Sequence, residues 1–420
     1  MPSLPIAVVP HPVAGQSPAD VQDKARSVLP EIISILTEPP ASLELRYRHK
    51  TIRPDAQLTH KYLFGAPGEG QRFIKAPESI EGILRLFHAN KWTDGLPIIP
   101  PTEQRFNGMI EKSGWDPTTV IGFIAPLQGK ATIEKIAVNA LMAGCTASHL
   151  PVIIAAVRAM TQPQFNLYAL QTTTHLCTVL ALVNGPVVHD LLINCRYNAM
   201  GQGTLSNAVI GRAIRLILTN IGGAIPGVLD RATFGSPAKY TFCFGENEDE
   251  SPWEPLHVER GFTKQESTVT IVGAEPPHNV NDHGSATADG VISTVAGTLA
   301  TPGTNQLYMA GEPLVVLGPE HAAIIAREGL TKRDTKDRLH EKARVPLSEI
   351  SAGNLKRFER INPKRFGQPS QNQTVPIAES SDDIMVVVSG GKGRHSVVIP
   401  TFGSTRSVTE LITDADGNPL

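Results

Sequence analysis

Two distant stretches of this chain spell out the same series of elements, and that recurrence limits the fold more than any other feature. The first, residues 150–190, runs from a helix over Pro151 to Met160 through Asn166-Leu167-Tyr168 and the apolar run Val179 to Val183 into Gly185-Pro186-Val187-Val188-His189. The second, residues 288–330, runs from a helix over Ala288 to Leu299 through Asn305-Gln306-Leu307-Tyr308 and Leu314 to Leu317 into Gly318-Pro319-Glu320-His321. One helix-strand unit cannot cover both faces of its own strand, so two copies are expected to stack into one α/β (mixed α+β) body with a pseudo-twofold axis and a cleft between halves. The spacing differs, with 19 residues from Asn166 to Gly185 against 13 from Asn305 to Gly318, so chance similarity of two helix-strand units stands as the alternative.

The chain has the means to bury such a body. Its 420 residues are 41% hydrophobic and 19% charged, which suffices for a core without disulfide staples. The 38 Lys and Arg nearly balance the 40 Asp and Glu, and no block of like charges appears, so nucleic acid is not an expected partner. No run of 18 apolar residues occurs, and the opening Met1-Pro2-Ser3-Leu4-Pro5 lacks a signal pattern; a cytoplasmic protein without membrane contact is expected. Cys145, Cys177, Cys195 and Cys243 show no CxxC spacing, which fits a reducing compartment. Association with a second copy is also expected.

Four regions follow from the patterning. Residues 1–37 read as a strand at Ile6 to Val9 and a helix from Ser17 to Leu36, with Ser17 as cap and Pro18 in the first turn. Residues 38–78 read as an irregular connector, and 79–375 as the main body. That body carries helices at Thr102 to Lys112, Thr132 to Gly144, Pro151 to Met160 and Thr204 to Asn220. Residues 376–420 read as a unit of strand (Ile384 to Ser389), loop, strand (His395 to Ile399) and short helix (Ser407 to Ile412).

Several residues are candidates for chemistry. Cys145 sits in a helix-to-helix corner with His149 four residues on, a base that would lower its thiol pKa; the alternative is an inert buried cysteine. The acidic segment Glu246 to Arg260 offers Glu254, His257 and Glu259 as acid, base or metal ligands, or is a surface loop anchored by Trp253. His278 and His283 are candidate ligands for a divalent metal, with no specific zinc signature. Gly201 and Gly203, just ahead of the Thr204 helix, with Arg212 and Arg215 on it, can receive an anion. The loop Gly390-Gly391-Lys392-Gly393 with His395 is a second candidate anion site, or a plain hairpin turn.

The wording LPIAVVPHPVAGQSPADVQDKARSVLPEIISILT at Leu4 to Thr37 resembles the closing third of the UGSC-like family, named for a selenocysteine- or cysteine-Gly-Ser-Cys motif. KWTDGLPIIPPT at Lys91 to Thr102, VNALMAGC at Val138 to Cys145 and PWEPLHVERGF at Pro252 to Phe262 are similar to a large bacterial family associated with such proteins. The resemblance implies thiol or selenol chemistry, but the motif itself would precede Met1, so no catalytic residue carries over. An in-frame UGA read as a stop, or a separate small UGSC-type subunit, would account for this.

Together these readings predict an enzyme of thiol- or selenol-dependent redox or group-transfer chemistry on a small organic anion, with Cys145 or the missing motif supplying sulfur or selenium. A metal-dependent lyase or hydrolase using Glu254, His257, His278 and His283 is the second expectation. A non-catalytic ligand-binding subunit is the third.

Overall fold

The computed structural model describes residues 7, 9, 17–47, 73–367 and 373–420. The chain divides into a unit of residues Met1–Glu69 and a unit of residues Gly70–Leu420. In the first, the helix Pro18–Thr37 opens on a capping box in which Ser17 and Asp20 satisfy each other's main-chain donors, as the Ser17-Pro18 wording predicts. A second helix, Pro40–Tyr47, forms where an irregular connector is expected; Arg46 pairs with Glu38 at 2.8 Å, and Tyr47 Oη donates to Glu31 at 3.0 Å. The strand expected at Ile6 to Val9 and the rest of the connector, 48–72, fall outside the described residues, apart from Ala7 and Val9, which are in no regular element.

The second unit holds twelve strands among its described residues. They are β1 (Val120–Ile124), β2 (Gly129–Thr132), β3 (Thr178–Asn184), β4 (Cys243–Gly245), β5 (Thr268–Ala274), β6 (His278–Asn281), β7 (Leu314–Leu317), β8 (Arg344–Pro346), β9 (Thr374–Pro376), β10 (Met385–Val388), β11 (His395–Ile399) and β12 (Val408–Leu411). β1 with β2 and β8 with β9 form small antiparallel pairs. The others build two four-stranded sheets, ordered β4-β3-β5-β12 and β10-β7-β11-β6.

The two sheets share one topology. In each, the first pair is parallel and the next two pairs are antiparallel. Each central strand is preceded by a long and a short helix, Leu150–Met160 and Leu167–Thr172 before β3, Ala288–Leu299 and Asn305–Met309 before β7, and is followed by a Gly-Pro pair that opens a helix, Val187–Asp190 in the first half and Pro319–Arg327 in the second. The halves also trade their fourth strands. β6 follows β5 in the chain yet pairs with β11, and β12 follows β11 yet pairs with β5.

Every residue of β3, β5, β7 and β10 is buried, because both faces of each sheet are covered. Leu180, Leu182, Phe244 and Val272 of the first sheet pack with Leu314, Val316, Met385 and Val387 of the second, so the sheets lie face to face. The alternate residues Val179, Ala181 and Val183 face the helices Ile133–Ala143, Leu150–Met160 and Leu205–Asn220, while Val315, Leu317, Val386 and Val388 face the helices Ala288–Leu299 and Pro319–Arg327. The order of layers is helix, sheet, sheet, helix.

The predicted helices lie where the patterning places them, with ends shifted by a residue or so: Glu103–Ser113, Ile133–Ala143, Leu150–Met160, Leu205–Asn220 and Ala288–Leu299. Thr132 caps the second, and Gly144, at φ 101°, ends it. Two expectations about the chain's end are corrected. Residues 408–411 form β12, not a helix, because the open edge of β5 offers hydrogen bonds that an uncapped six-residue helix cannot match. Residues 376–420 are no separate unit either: β10 and β11 belong to one sheet and β12 to the other. Among the described residues no helix is long and apolar enough to cross a membrane; one pair, Ile133–Ala143 with Ala147–Met160, passes only when joined across a 119° bend, and its members are core helices.

Candidate functional site

At the amino end of β3 the helix Leu205–Asn220 and the loop after it wall a cavity of about 700 Å³. Its size falls within the usual range for small-ligand sites. The turn at Thr93-Asp94-Gly95 forms one side, and Arg215, Asp230, Ser236 and Lys239 supply polar groups. Ile225, Pro226, Phe234 and Tyr240 supply apolar surface, with Phe234 91% exposed.

The charges around this cavity are unequally matched. Asp230 takes the Lys239 ammonium through both oxygens, at 2.9 and 2.7 Å. Asp94 takes Arg212 in a fork of 2.8 and 2.9 Å, and Arg212 also donates to the Leu96 and Pro97 carbonyls. Burial works to raise the Asp94 carboxyl, but the bonds and charge of Arg212 outweigh it and hold the group below its ordinary value. Arg215 has no carboxylate of its own. Its Nε donates to the Lys239 carbonyl at 2.9 Å and its Nη2 to Thr178 Oγ1 at 2.8 Å, which leaves Nη1 without a partner among the described residues. Burial pulls this guanidinium below its ordinary value, and Asp230 opposes that pull. The Ser236 hydroxyl is buried without a partner.

Of the residues expected to receive an anion at this helix, Gly201, Gly203 and Arg212 are placed apart from the cavity. Arg212 is spent on the 94–97 turn, and Gly201 and Gly203 lie exposed ahead of the helix, Gly203 at φ 115°. It is Arg215, three residues along, that reaches a cavity. The pattern of two arginines on one helix was visible in the sequence; which of them meets Asp94 depends on how the 92–97 turn folds back.

A second polar centre lies at the carboxyl ends of β3 and β4. Glu246 Oε2 accepts from Asn184 Nδ2 at 2.7 Å and from the Leu256 main chain at 2.9 Å; Glu248 Oε1 accepts from Asn184 Nδ2 at 3.1 Å and from Gly185 N at 2.8 Å. Burial pushes the Glu246 carboxyl up, partly offset by Lys332. Asn184 Oδ1, Glu246 Oε1, Asn247 Oδ1 and Thr268 Oγ1 are buried without partners. His257 is fully buried, and neither ring nitrogen reaches a hydrogen-bond partner; Glu248 lies 3.8 Å from Nδ1 and the Thr263 main chain is near. Burial lowers its pKa.

Of the residues singled out in the acidic segment, His257 belongs to this centre, whereas Glu254 and Glu259 do not. Glu254 is exposed and offers only its carbonyl, to Lys332 Nζ at 3.0 Å. Glu259 binds the buried Lys332 and Lys336. Glu246 and Glu248 are the carboxylates near His257. What marks them in the sequence is their place directly after β4, at the strand ends where open α/β sheets hold ligands.

Cys145 and His149 do not meet. Cys145 Sγ contacts the Val209 carbonyl at 3.4 Å, while His149 accepts from Thr146 N at 3.0 Å and faces Ser206 Oγ at 3.2 Å. Burial raises all four thiols, those of Cys177 and Cys243 up to about 12. That is the opposite of the depressed pKa that makes a thiol nucleophilic. In the glycine loop, a Cβ on Gly391 would sit 2.0 Å from the Tyr197 ring, and Lys392 is exposed without an ion pair among the described residues. His278 stands at the opposite end of β6 from His283, its Nδ1 3.0 Å from the Asn279 carbonyl; the partner of His283 is His395. Among the described residues no group of three or more His, Cys, Asp or Glu is arranged to hold a metal ion.

Comparison with models of known families returns no match, and comparison with curated proteins returns none either.

Proposed function

We propose that this protein binds a small organic anion with an apolar body in the Arg215 cavity. The observation that carries this reading is a buried guanidinium in the wall of an open cavity, with one nitrogen unpaired and no carboxylate of its own. Asp230 offsets part of the cost of burying this charge but is itself paired with Lys239, so an anionic ligand would give Nη1 a partner of its own. The exposed Phe234 and Tyr240 rings suit the ligand's apolar part. Ser236 and Lys239 lie three apart, but the ammonium is committed to Asp230, so the hydroxyl has no base beside it; the cavity favours recognition over nucleophilic attack. Of the three functional expectations, the small organic anion and the ligand-binding role are supported here, whereas the raised thiols speak against Cys145 as nucleophile.

Calorimetric titration with benzoate and hydrocinnamate, each against its amide, tests the proposal. A charge-assisted bond contributes about 1.5–3 kcal/mol, so the acids should bind about tenfold or more tightly than the amides. Arg215→Met should abolish that preference and Arg215→Lys should retain part of it. Equal affinity for acid and amide would overturn the reading.

A second reading, acid–base chemistry at Glu246, Glu248 and His257, is favoured by their unpaired buried atoms. It requires Glu246 to hold a proton near neutrality, which the carboxylic C=O infrared band, compared between the native chain and Glu246→Gln, would reveal.

A further inference from the structure

We infer that His283 and His395 form a two-histidine site for a divalent transition metal, clasping β6 to β11. Their Nε2 atoms are 3.2 Å apart, and the rings meet edge to face at 83° with centroids 4.9 Å apart. Two imidazole nitrogens bound at about 2.0–2.1 Å to one tetrahedral ion lie about 3.3 Å from each other. The pair is therefore spaced as cis ligands of a single ion, with the remaining positions open to water or another ligand.

The surroundings orient the His395 ring and pin the turn that carries His283. His395 Nδ1 lies 3.0 Å from Asn279 Oδ1, an acceptor, so Nδ1 carries the hydrogen and the Nε2 lone pair faces His283. This is the outer-shell arrangement that sets tautomer and orientation in metal-binding histidines. His283 stands on a pinned turn: Ser285 N and Thr294 Oγ1 donate to the Asp282 carboxylate at 2.9 and 2.7 Å, His321 bonds the Asp282 carbonyl, and Arg394 donates to the His283 carbonyl at 2.7 Å. Both histidines are exposed, so an ion can enter. Without metal, His283 Nε2–H can donate to His395; on binding, its proton moves to Nδ1 and both lone pairs turn to the ion.

The location gives the site a consequence. His283 ends the segment that carries β6 out of the first half of the chain, and His395 begins β11 of the second. A shared ion would tie the exchanged strand to its host sheet.

Equilibrium dialysis of the full chain against Zn²⁺ tests this. One ion per chain is expected, weakened at least about tenfold by His283→Ala or by His395→Ala and about tenfold by Asn279→Ala, with His278→Ala unchanged. Cu²⁺ bound to the native chain should show two imidazole nitrogens by electron paramagnetic resonance, and Zn²⁺ should raise the Tm of the native chain but not of His395→Ala. The metal-free melting curves of these surface variants report whether they fold. Absence of stoichiometric uptake by the native chain, or uptake by His283→Ala and His395→Ala equal to native, would overturn the assignment, as would an equal loss in His278→Ala.

Discussion

At the carboxyl end of β7 and β10, the one hydroxyl hydrogen of Ser389 is shared between the Cys195 and Gly245 carbonyls, and His321 bonds Ser396 Oγ at 2.7 Å and the Asp282 carbonyl at 3.0 Å. At the matching end of β3 and β4, Asn184, Glu246, Asn247, Thr268 and His257 leave buried atoms unpaired. The two ends touch, since Asn247 N donates to the Val388 carbonyl at 2.8 Å. One topology has thus been closed off in one half and left with open valences in the other. An unsatisfied buried group costs about 1–3 kcal/mol, so a cluster of them is a place where water or ligand atoms are to be sought.

The largest effect should come from what the two ends share. Gly185 follows β3 and Gly318 follows β7, and a Cβ on either would lie 2.4 Å from the Glu266 carbonyl oxygen or 2.2 Å from that of His395. Gly185→Ala and Gly318→Ala should each cost about 3 kcal/mol in urea unfolding, with Gly185 the worse because its φ of 85° also penalises a side chain. Tolerance of one and not the other would break the equivalence of the halves.

Next comes the contrast itself. His321→Leu strands the Asp282 carbonyl and leaves Ser396 Oγ only the bond from Gly318 N, and should cost about 2–3 kcal/mol, whereas His257→Leu removes a ring with no bonded partner and should cost less than about 1 kcal/mol. Equal losses would mean that His257 is bonded to something in solution.

The smallest effect is a pH slope. Because burial raises the Glu246 carboxyl in the folded chain, the folded state binds more protons than the unfolded one just above the ordinary carboxyl pKa, and stability falls as pH rises through that window. Glu246→Gln keeps the bonds from Asn184 and Leu256 through its amide oxygen and should flatten the slope, with a gain at neutral pH. A loss there instead would show that the carboxylate is charged and matched by a bound cation.

Much of the fold was legible because its signals are local. The stripe Ile133, Ile136, Ala137, Ala140, Leu141 and the stop at Gly144 are read by a helix within its own turns. The recurrence of helix, strand and Gly-Pro could likewise be seen by comparing the chain with itself. Segment 407–412 was misread because six residues of mixed propensity take whichever partner is at hand, and that partner, β5, is more than a hundred positions away.

The sites were less legible, since they depend on which distant groups use up which. Sequence alone determined the α/β class, the long helices, the two central strands and a supply of arginine, histidine and carboxylate. Only the tertiary structure decided that the halves trade strands, that Asp94 takes Arg212 and leaves Arg215 to the cavity, and that His283 meets His395 in place of His278. A helix needs only its neighbours along the chain to form, but a side chain is free or spent according to contacts made across the whole fold.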